Sequence, residues 1–235
     1  MNELERIEAQ ALREAVVLGG GEAELVGGAA CVRHRQVPIL ELNRAIPIGA
    51  AVDAAAIAAW FGDDRHVICV TGERLDLAGS LAERGYTRGR AWLKFRRKGE
   101  PAPTAATDLR VSETLDADAF ATATGLPREL SGFVGAPGWR HFVAWDGDEP
   151  AACGALYVEG ELAWLGVGST REAYRRRGAQ SALLAARIET GRSLGARTFT
   201  CETGEDVDVS YRNILRAGFA EAYRRENWLS PQLVR

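Results

Sequence analysis

Apolar and polar residues follow a strand pattern before Val167 and a helix pattern after Gly178, and the rest of the chain is organised around this change. Leu162–Val167 is a short apolar run bounded by polar residues and glycines, which is typical of a buried strand. From Gly178 onward, apolar residues recur at helical spacing until Gly191 to Gly195, where glycines end the pattern. The sequence therefore predicts a strand, a basic turn and a helix in succession.

The first part of the chain shows shorter patterns of both kinds. The predicted helices are Asn2 to Leu18, Asp53 to Phe61 and Leu75 to Glu83, and the predicted strands are Glu24–Arg33, Val37–Leu42 and His66–Val70, with Tyr86–Arg97 as a strand pair or one long strand. Gly99–Thr107 contains two prolines and few side chains that could pack, so it predicts an interdomain linker. We therefore expect domains at residues 1–98 and 108–235, joined by a linker at residues 99–107.

After the linker, the pattern predicts a compact mixed α/β unit. Its predicted elements are a strand at Leu109–Val111, a helix over Ala117–Thr124 capped by Asp116, a loop over Pro127–Gly138, and strands at His141–Trp145, Ala151–Val158 and Thr198–Cys201. The crossover helix between Val167 and Thr198 predicts that the strands on either side of it are parallel. Ligands bind where the carboxyl ends of such strands diverge.

The basic turn before the helix is a candidate anion site. The first amides of a helix lack partners and lie at the positive end of its dipole, and Gly178 lets the backbone approach a phosphate closely. We expect a pyrophosphate cradle, formed by the amides of Arg176, Arg177, Gly178, Ala179 and Gln180. The alternative is a solvated patch of three arginines. A net charge of −3 and a pI of about 5.8 argue against a nucleic-acid surface.

The segment Tyr174–Leu184 resembles the acetyl-CoA-binding signature of GNAT superfamily acyltransferases, whose pattern is Gln/Arg-x-x-Gly-x-Gly/Ala. Arg175 and Gly178 match this pattern, whereas Gln180 stands where a small residue is usual. Ser210–Phe219 resembles a later GNAT element, a helix that ends in Gly-Phe. The resemblance covers roughly Leu109 to Leu229. It implies a GNAT-like acyltransferase fold of the α/β class (α+β, mixed sheet), with acetyl-CoA as the acyl donor; the implied donor contacts are Leu165, Val167, Arg175, Arg176, Arg177, Gly178, Ala179, Gln180, Ser181 and Asn213.

The two halves of the chain end alike, which indicates an internal repeat. Gly85-Tyr86 closes a predicted helix in the first half, as Gly218-Phe219 does in the second. Chance is the alternative, because this helix ending is common. The first half has no Arg-x-x-Gly turn, and its acidic Gly62–Asp64 would repel phosphate. We therefore expect two tandem GNAT-like halves, of which the first has lost the CoA motif.

The resemblance also directs attention to acid and base residues. The family's usual thiolate acid is a tyrosine four residues before the Gly of Gly-Phe, and this chain has Ile214 there. Tyr211 is one helical turn earlier and is a candidate substitute, with a packing role as the alternative. Glu202, at the end of the Thr198–Cys201 strand, is the candidate base, and attraction of a cationic acceptor is its alternative role. A water chain, Asp146 or Glu161 are the other candidates for the base.

The expected function is transfer of an acetyl group from acetyl-CoA to an amine acceptor, a small molecule or a protein lysine, in a ternary complex. The alternatives are a non-catalytic CoA-binding or scaffold module, and an O-acyl or longer-acyl transferase. Four isolated cysteines and three scattered histidines give no support to a metal site. The N-terminus lacks a secretory signal and no apolar run spans a membrane, so we expect a cytoplasmic monomer or homodimer without membrane or nucleic-acid partners.

Overall fold

The computed structural model describes residues 2–72 and 74–233, in which helices and strands alternate. The helices are α1 (Glu3–Leu18), α2 (Ala54–Phe61), α3 (Leu75–Glu83), α4 (Ala117–Thr124), α5 (Ala179–Ser193) and α6 (Asp208–Arg216). The strands are β1 (Glu22–Val26), β2 (Ala29–Arg33), β3 (Arg44–Pro47), β4 (Val67–Thr71), β5 (Thr87–Arg88), β6 (Trp92–Lys98), β7 (Arg110–Glu113), β8 (Trp139–Asp146), β9 (Glu149–Glu159), β10 (Leu162–Thr170), β11 (Thr198–Gly204) and β12 (Ala220–Leu229). No helix within these residues combines the length and the apolar character that a membrane crossing requires.

Side-chain caps begin three of the predicted helices. The Oδ1 atom of Asn2 accepts a hydrogen bond from the Leu4 amide at 3.0 Å. Asp53 accepts from the Ala55 amide at 2.9 Å, and Asp116 caps α4 in the same way. Because each cap satisfies an amide that the helix leaves unpaired, it stabilises its helix by about 1 kcal/mol. The predicted starts of α1, α2 and α4 are confirmed.

One predicted strand, Val37–Leu42, is wrong. Leu40–Leu42 forms a short 3₁₀ turn, and the strand begins only at Arg44. The buried side chain of Asn43 donates to the carbonyl oxygen of Ile39 at 2.8 Å and accepts from the His34 amide at 3.0 Å. An asparagine that bonds nearby backbone groups in this way competes with a strand ladder, and the apolar pattern carries no sign of it.

The chain divides into two compact units, and their limits differ from the predicted ones. The first unit comprises Met1–Lys94 and Tyr223–Arg235, and the second comprises Phe95–Ala222. The division therefore falls inside β6, and the end of the chain joins the first unit. There β12 pairs antiparallel with β4 and β5. Backbone hydrogen bonds between distant residues decide which sheet a strand joins. The position of β12 in the sequence therefore did not reveal that its end belongs to the first unit.

The segment predicted as a linker, Gly99–Thr107, lies against the second unit. The buried Arg97 donates through Nη1 to the carbonyl oxygen of Glu100 at 2.7 Å. Arg192 on α5 donates through Nε to the carbonyl oxygen of Gly99 at 2.9 Å. The expectation that little in this segment could pack is therefore corrected, because arginine side chains hold its backbone instead.

The first unit contains a sheet in the order β1-β2-β3-β4-β12, in which β3 and β4 are parallel. The apolar stripe of α1 predicted plain core, yet Glu8 of this helix is fully buried. Glu8 accepts from Arg225 at 2.8 Å and pairs with Arg44 at 3.2 Å and with Lys94. Burial raises the pKa of Glu8, but the three cations outweigh this effect and hold the pKa well below its usual value.

The second unit contains a sheet in the order β11-β10-β9-β8-β7, with the predicted meander β8-β9-β10. α5 connects β10 to the parallel strand β11, as the crossover pattern predicted. The ring of Phe199 on β11 lies against α5 at Gly191, whereas Trp164 on β10 packs edge-on against Trp139 on the other face. Helix α5 covers the first of these faces, and α4 covers the second through Phe120 and His141.

Candidate active site

Strands β10 and β11 separate at their carboxyl ends. Their parallel register runs from Leu162–Thr198 to Trp164–Thr200 and then stops. Both strands continue, β10 to Thr170 and β11 to Gly204. The two strands are therefore unpaired beyond Trp164 and Thr200, and this opening lies at the carboxyl edge of the sheet, where ligands of such folds bind.

A bulge interrupts β10 inside this opening. The register of β10 with β9 shifts between Gly166 and Ser169, so that Val167 and Gly168 have no partner residue on β9. Val167 has a φ of 51°, which is strained for a β-branched residue. Bulges turn backbone groups out of the ladder, and strain of this kind concentrates at functional sites. The preceding Leu165 is buried at 4% exposure, so its backbone alone is positioned to contact a ligand in the opening.

The basic turn enters α5 in a left-handed conformation. Arg176 has a φ of 65° and Gly178 a φ of 76°. Gly178 is the N-cap residue of α5, and no side chain caps the helix. The first amides of α5 thus have no side-chain acceptor, and the turn that precedes them connects α5 to the end of β10. The guanidinium-bearing side chains of Arg175 and Arg176 are exposed on this turn.

Residues from the predicted linker support the turn, a contact that no sequence pattern indicated. A Cβ atom at Gly178 would overlap the carbonyl oxygen of Ala106. The hydroxyl of Thr107 donates to the carbonyl oxygen of Arg177 at 2.7 Å. Position 178 therefore requires glycine for two reasons: its backbone is left-handed, and the segment containing Ala106 approaches it closely.

Arg177 differs from the other two arginines of the turn because carboxylates already bind it. Its Nε lies 3.1 Å from Oδ1 of Asp108, and its Nη1 lies 2.9 Å from Oδ2 of Asp146. The hydrogen bonds from Arg177 lower the pKa of both carboxyl groups, and the two carboxylates raise the pKa of Arg177. Two carboxylates therefore neutralise the charge of Arg177, and these ion pairs anchor the turn.

The side chain of Gln180 turns back toward the sheet. Its Nε2 donates to the carbonyl oxygen of Ser169 at 2.7 Å and to the hydroxyl of Thr170 at 3.0 Å. Gln180 therefore joins the first turn of α5 to the end of β10 and leaves its own amide uncovered. Next to it, Ala179 is buried and Ser181 is half-buried. This explains how the chain accommodates a large residue where the related signature has a small one.

Glu202 lies in the part of β11 that diverges from β10. It is half-buried and comes two residues after Thr200, the last residue paired with β10. Strand alternation places it on the same face as Thr200 and Trp164. The other candidates for the base lie elsewhere: Asp146 is bound by Arg177, and Glu161 is exposed just before the opposite end of β10.

The three candidate positions on α6 differ in their burial. Ile214, at the position of the usual tyrosine, is buried at 4% exposure and is a core residue. Tyr211 is half-buried, and its ring lies edge-on to Phe95 with centroids 5.6 Å apart. Asn213 is also half-buried, and its Oδ1 lies 3.5 Å from Nη1 of Arg216. Asn213 and Tyr211 are therefore both accessible in part.

An aromatic cluster that sequence reasoning missed fills the face of the sheet opposite α5. Its members are Phe120, Phe133, Trp139, His141, Tyr157 and Trp164. His141 is 1% exposed, and burial lowers its pKa to about 4, with a smaller contribution from Arg140. Trp139 and His141 alternate on β8, and this short alternation of ring-bearing residues was the signal that could have revealed the cluster.

The placement of histidine, cysteine and acidic side chains shows whether the described residues could bind a metal ion. Within residues 2–72 and 74–233, no three histidine, cysteine or acidic side chains converge in a way that could hold a metal ion. All four cysteines are buried, as their apolar surroundings predicted. Burial raises the pKa of the Cys153 thiol to about 12, which makes it unreactive as a nucleophile at neutral pH.

Comparison with known proteins identifies the second unit. A family model described as the acetyltransferase (GNAT) family matches residues 109–219. Comparison with curated protein sequences finds no match.

Solved structures share the fold over most of the chain. A GCN5-related N-acetyltransferase from Kribbella flavida superposes with a TM-score of 0.72 at 19% identity, covering 98% of this chain and 96% of its own. A putative GNAT-family acetyltransferase from Novosphingobium aromaticivorans has a TM-score of 0.60 at 16% identity, covering 86% and 87%. A tandem GNAT protein from the clavulanic acid biosynthesis pathway has a TM-score of 0.54 at 16% identity, covering 79% and 73%. At these identities the likeness shows the fold, and the predicted GNAT-like α/β fold is confirmed.

The family's chemistry is acyl transfer from acyl-CoA, and the matched residues 109–219 contain the divergent strands, the bulge and the turn before α5. The second unit therefore contains a GNAT-family acetyltransferase domain at residues 109–219, whose fold is shared by solved GNAT structures.

Proposed function

We propose that the second unit transfers an acetyl group from acetyl-CoA directly to an amine acceptor within a ternary complex. The observation that carries the proposal is the meeting of three features at one edge of the sheet. These are the opening beyond Trp164 and Thr200, the bulge at Val167 and the uncapped start of α5. Parallel strands bring their carboxyl ends to the same edge, and the helix after β10 begins there.

The donor would be held mainly by backbone. In this proposal the amides of residues 176–181 face the pyrophosphate, including that of Arg177, because no side chain caps this helix start. The exposed Arg175 and Arg176 add charge, whereas Arg177 holds the turn in shape through Asp108 and Asp146. The backbone of Leu165 and Val167 would line the pantetheine arm, and Asn213 would contact the donor from α6.

The chemistry needs three groups besides the reactants. The neutral amine nitrogen attacks the thioester carbonyl carbon, and the Val167 amide stabilises the negative charge that develops on the oxygen. When the oxyanion collapses, the carbon–sulfur bond breaks and the sulfur leaves as a thiolate. Glu202 accepts the proton that the amine nitrogen loses, directly or through one water. Tyr211 donates a proton to the thiolate and recovers one from solvent, and Glu202 releases its proton to solvent, so both residues return to their starting states.

The acceptor is proposed to be cationic in solution. Glu205, Asp206 and Asp208 are exposed just after β11, near the open end of the cleft. Their negative charge favours an ammonium group, which loses one proton to solvent before the neutral amine attacks. The first unit is proposed to be a GNAT-like half without a nucleotide site, because its acidic Gly62–Asp64 replaces the basic glycine turn.

The proposal is tested by combining acetyl-CoA with a panel of amines and measuring thiol release. We expect acceptor-dependent release of one thiol per acetylated amine, with polyamines, aminoglycosides, amino acids and lysine peptides as the panel. Binding of acetyl-CoA without release for any amine would favour the non-catalytic alternative, which the buried Ile214 at the tyrosine position supports. Absence of binding would contradict both.

A further inference from the structure

A buried arginine lies directly behind the bulge. Arg187 on α5 is 2% exposed. Its Nη1 donates to the carbonyl oxygens of Gly166 and Ala155, both at 3.2 Å, and its Nε donates to the carbonyl oxygen of Leu183 on its own helix at 3.0 Å. The guanidinium therefore joins α5 to two neighbouring strands at the residue where the register of β10 changes.

The chain makes room for this side chain at some cost. A Cβ atom at Gly154 on β9 would lie 2.6 Å from Cζ of Arg187, so a glycine is needed opposite the guanidinium. Among the described residues, the titratable groups that influence the pKa of Arg187 are the thiols of Cys153 and Cys201, and no carboxylate is among them. Burying a cation without a counter-ion lowers the stability of the fold, because the charge loses its hydration. A methionine or leucine would fill the same space without this desolvation penalty. Stability of the core does not explain its presence.

The charge of this arginine is retained at neutral pH. Burial lowers the pKa of Arg187 to about 10, which still leaves the guanidinium protonated. Three backbone carbonyls take the place of a counter-ion. Because the local dielectric is low, the interaction of a full positive charge with these carbonyl dipoles is strong.

One of the three carbonyls belongs to the peptide that the acyl-transfer mechanism uses. The carbonyl of Gly166 and the amide of Val167 are parts of one trans peptide unit, so the Val167 N–H points away from Arg187. A cation bound to the carbonyl oxygen polarises the peptide and makes its N–H a stronger donor. It also holds the peptide plane in the orientation that the left-handed Val167 requires.

We propose that Arg187 positions and polarises the Gly166–Val167 peptide so that the Val167 amide stabilises the oxyanion of acyl transfer. The inference rests on the acetyl-transfer function proposed above and adds a residue on the opposite side of the strand from the reacting groups. Arg187 is a positioning residue, since it acts through the peptide and touches no substrate.

The first test is Arg187→Met in the full chain, with Arg192→Met as the matched control. Arg192 lies on the same helix and donates to a backbone carbonyl, that of Gly99, but on the part of α5 away from the bulge. Loss of an oxyanion donor lowers kcat by about 10²–10³-fold, so weakening one donor is expected to lower kcat by roughly 10- to 100-fold. The Kd of acetyl-CoA should change less than about threefold, because the phosphate turn is untouched.

The second test uses Arg187→Lys, whose activity should depend on pH in a way that a packing role would not produce. A lysine buried without a counter-ion loses its proton at a depressed pKa. The thiol of Cys153 stays neutral and cannot replace the charge, because burial raises its pKa to about 12. The ratio of kcat for Arg187→Lys to kcat for Arg187→Met should exceed one at low pH and fall toward one as pH rises.

Gly154→Ala is the third variant, because it displaces the guanidinium while retaining its charge. It should lower kcat in the same direction, and it keeps the test meaningful if Arg187→Met does not fold. Wild-type turnover together with normal kcat in Arg187→Met, or in folded Gly154→Ala and Arg187→Lys, would overturn this inference alone. Absence of wild-type turnover with every amine would instead overturn the proposed function and the inference with it.

Discussion

Gly178 lies so close to the carbonyl oxygen of Ala106 that a side chain at this position would overlap it. The two residues belong to the turn before α5 and to the segment predicted as a linker. Together with Thr107, Ala106 forms the support on which the turn rests. The turn before α5 is therefore held by contacts from outside its own motif.

The first prediction concerns Gly178→Ala, which should weaken acetyl-CoA binding and lower the free energy of unfolding by about 1–3 kcal/mol, because it adds backbone strain and overlap. Gly195→Ala is the control, since Gly195 has a φ of 97° but nothing within 4 Å of its Cβ position. Calorimetry of both variants separates the effect of backbone strain, which both share, from the effect of overlap, which only Gly178→Ala has. Any further loss of affinity in Gly178→Asp measures the effect of negative charge beside the pyrophosphate. Unchanged acetyl-CoA affinity in Gly178→Ala would remove the turn from the donor site.

The second prediction is that Glu202→Gln lowers kcat at saturating acceptor and removes the acidic limb of the rate profile, because the amine loses its proton acceptor. Glu205→Gln is the matched control, a neighbouring acidic residue that is exposed. If Glu202 only attracts a cationic acceptor, the KM of the acceptor should rise while kcat and the pH profile remain as in the wild type. That result would assign the proton to a water chain.

The third prediction is that Tyr211→Phe lowers kcat by roughly 10²-fold with acetyl-CoA, because the departing thiolate loses its general acid. A thioester with a more acidic thiol leaves without protonation, so it should restore the rate of Tyr211→Phe but not that of Glu202→Gln. Steady-state rates with both donors measure the difference. Equal loss of rate with both thioesters would indicate that Tyr211 serves packing against Phe95 instead.

The fourth prediction concerns His141 and the stability of the protein in mild acid. Burial lowers the pKa of His141 to about 4, whereas an unfolded histidine has a pKa of about 6.5. Its contribution to stability is therefore complete above about pH 6.5 and is lost as the pH falls toward 4. Between pH 7 and 5 the loss should reach about 2 kcal/mol.

Chemical denaturation at both pH values measures this loss, and His141→Phe should show less of it than the wild type. His66, in the first unit, has a pKa lowered to about 4 by burial as well, so part of the pH dependence should persist in the variant. An identical pH dependence in the wild type and the variant would contradict the neutral state of His141.

The local features of this protein could be predicted because neighbouring residues produce them. Asn2, Asp53 and Asp116 cap their helices through amides two or three residues away. The strand, turn and helix from Leu162 to Ser193 follow from the period of apolar residues and from a glycine that tolerates a left-handed backbone. The parallel pairing of β10 and β11 followed from the crossover between them.

Tertiary structure alone decided the features that join distant parts of the chain. The end of the last strand belongs to the first unit, and Ala106 lies against Gly178. The periodic pattern of apolar residues indicates neither contact. The three arginines of the turn are alike in sequence, yet Arg177 alone meets two carboxylates, from residues 108 and 146. Arg187 reads as a polar residue on the surface of a helix, and it became a candidate positioning residue only because Gly154 leaves space for its guanidinium behind the bulge. Such roles depend on distances across the fold, which the order of residues does not specify.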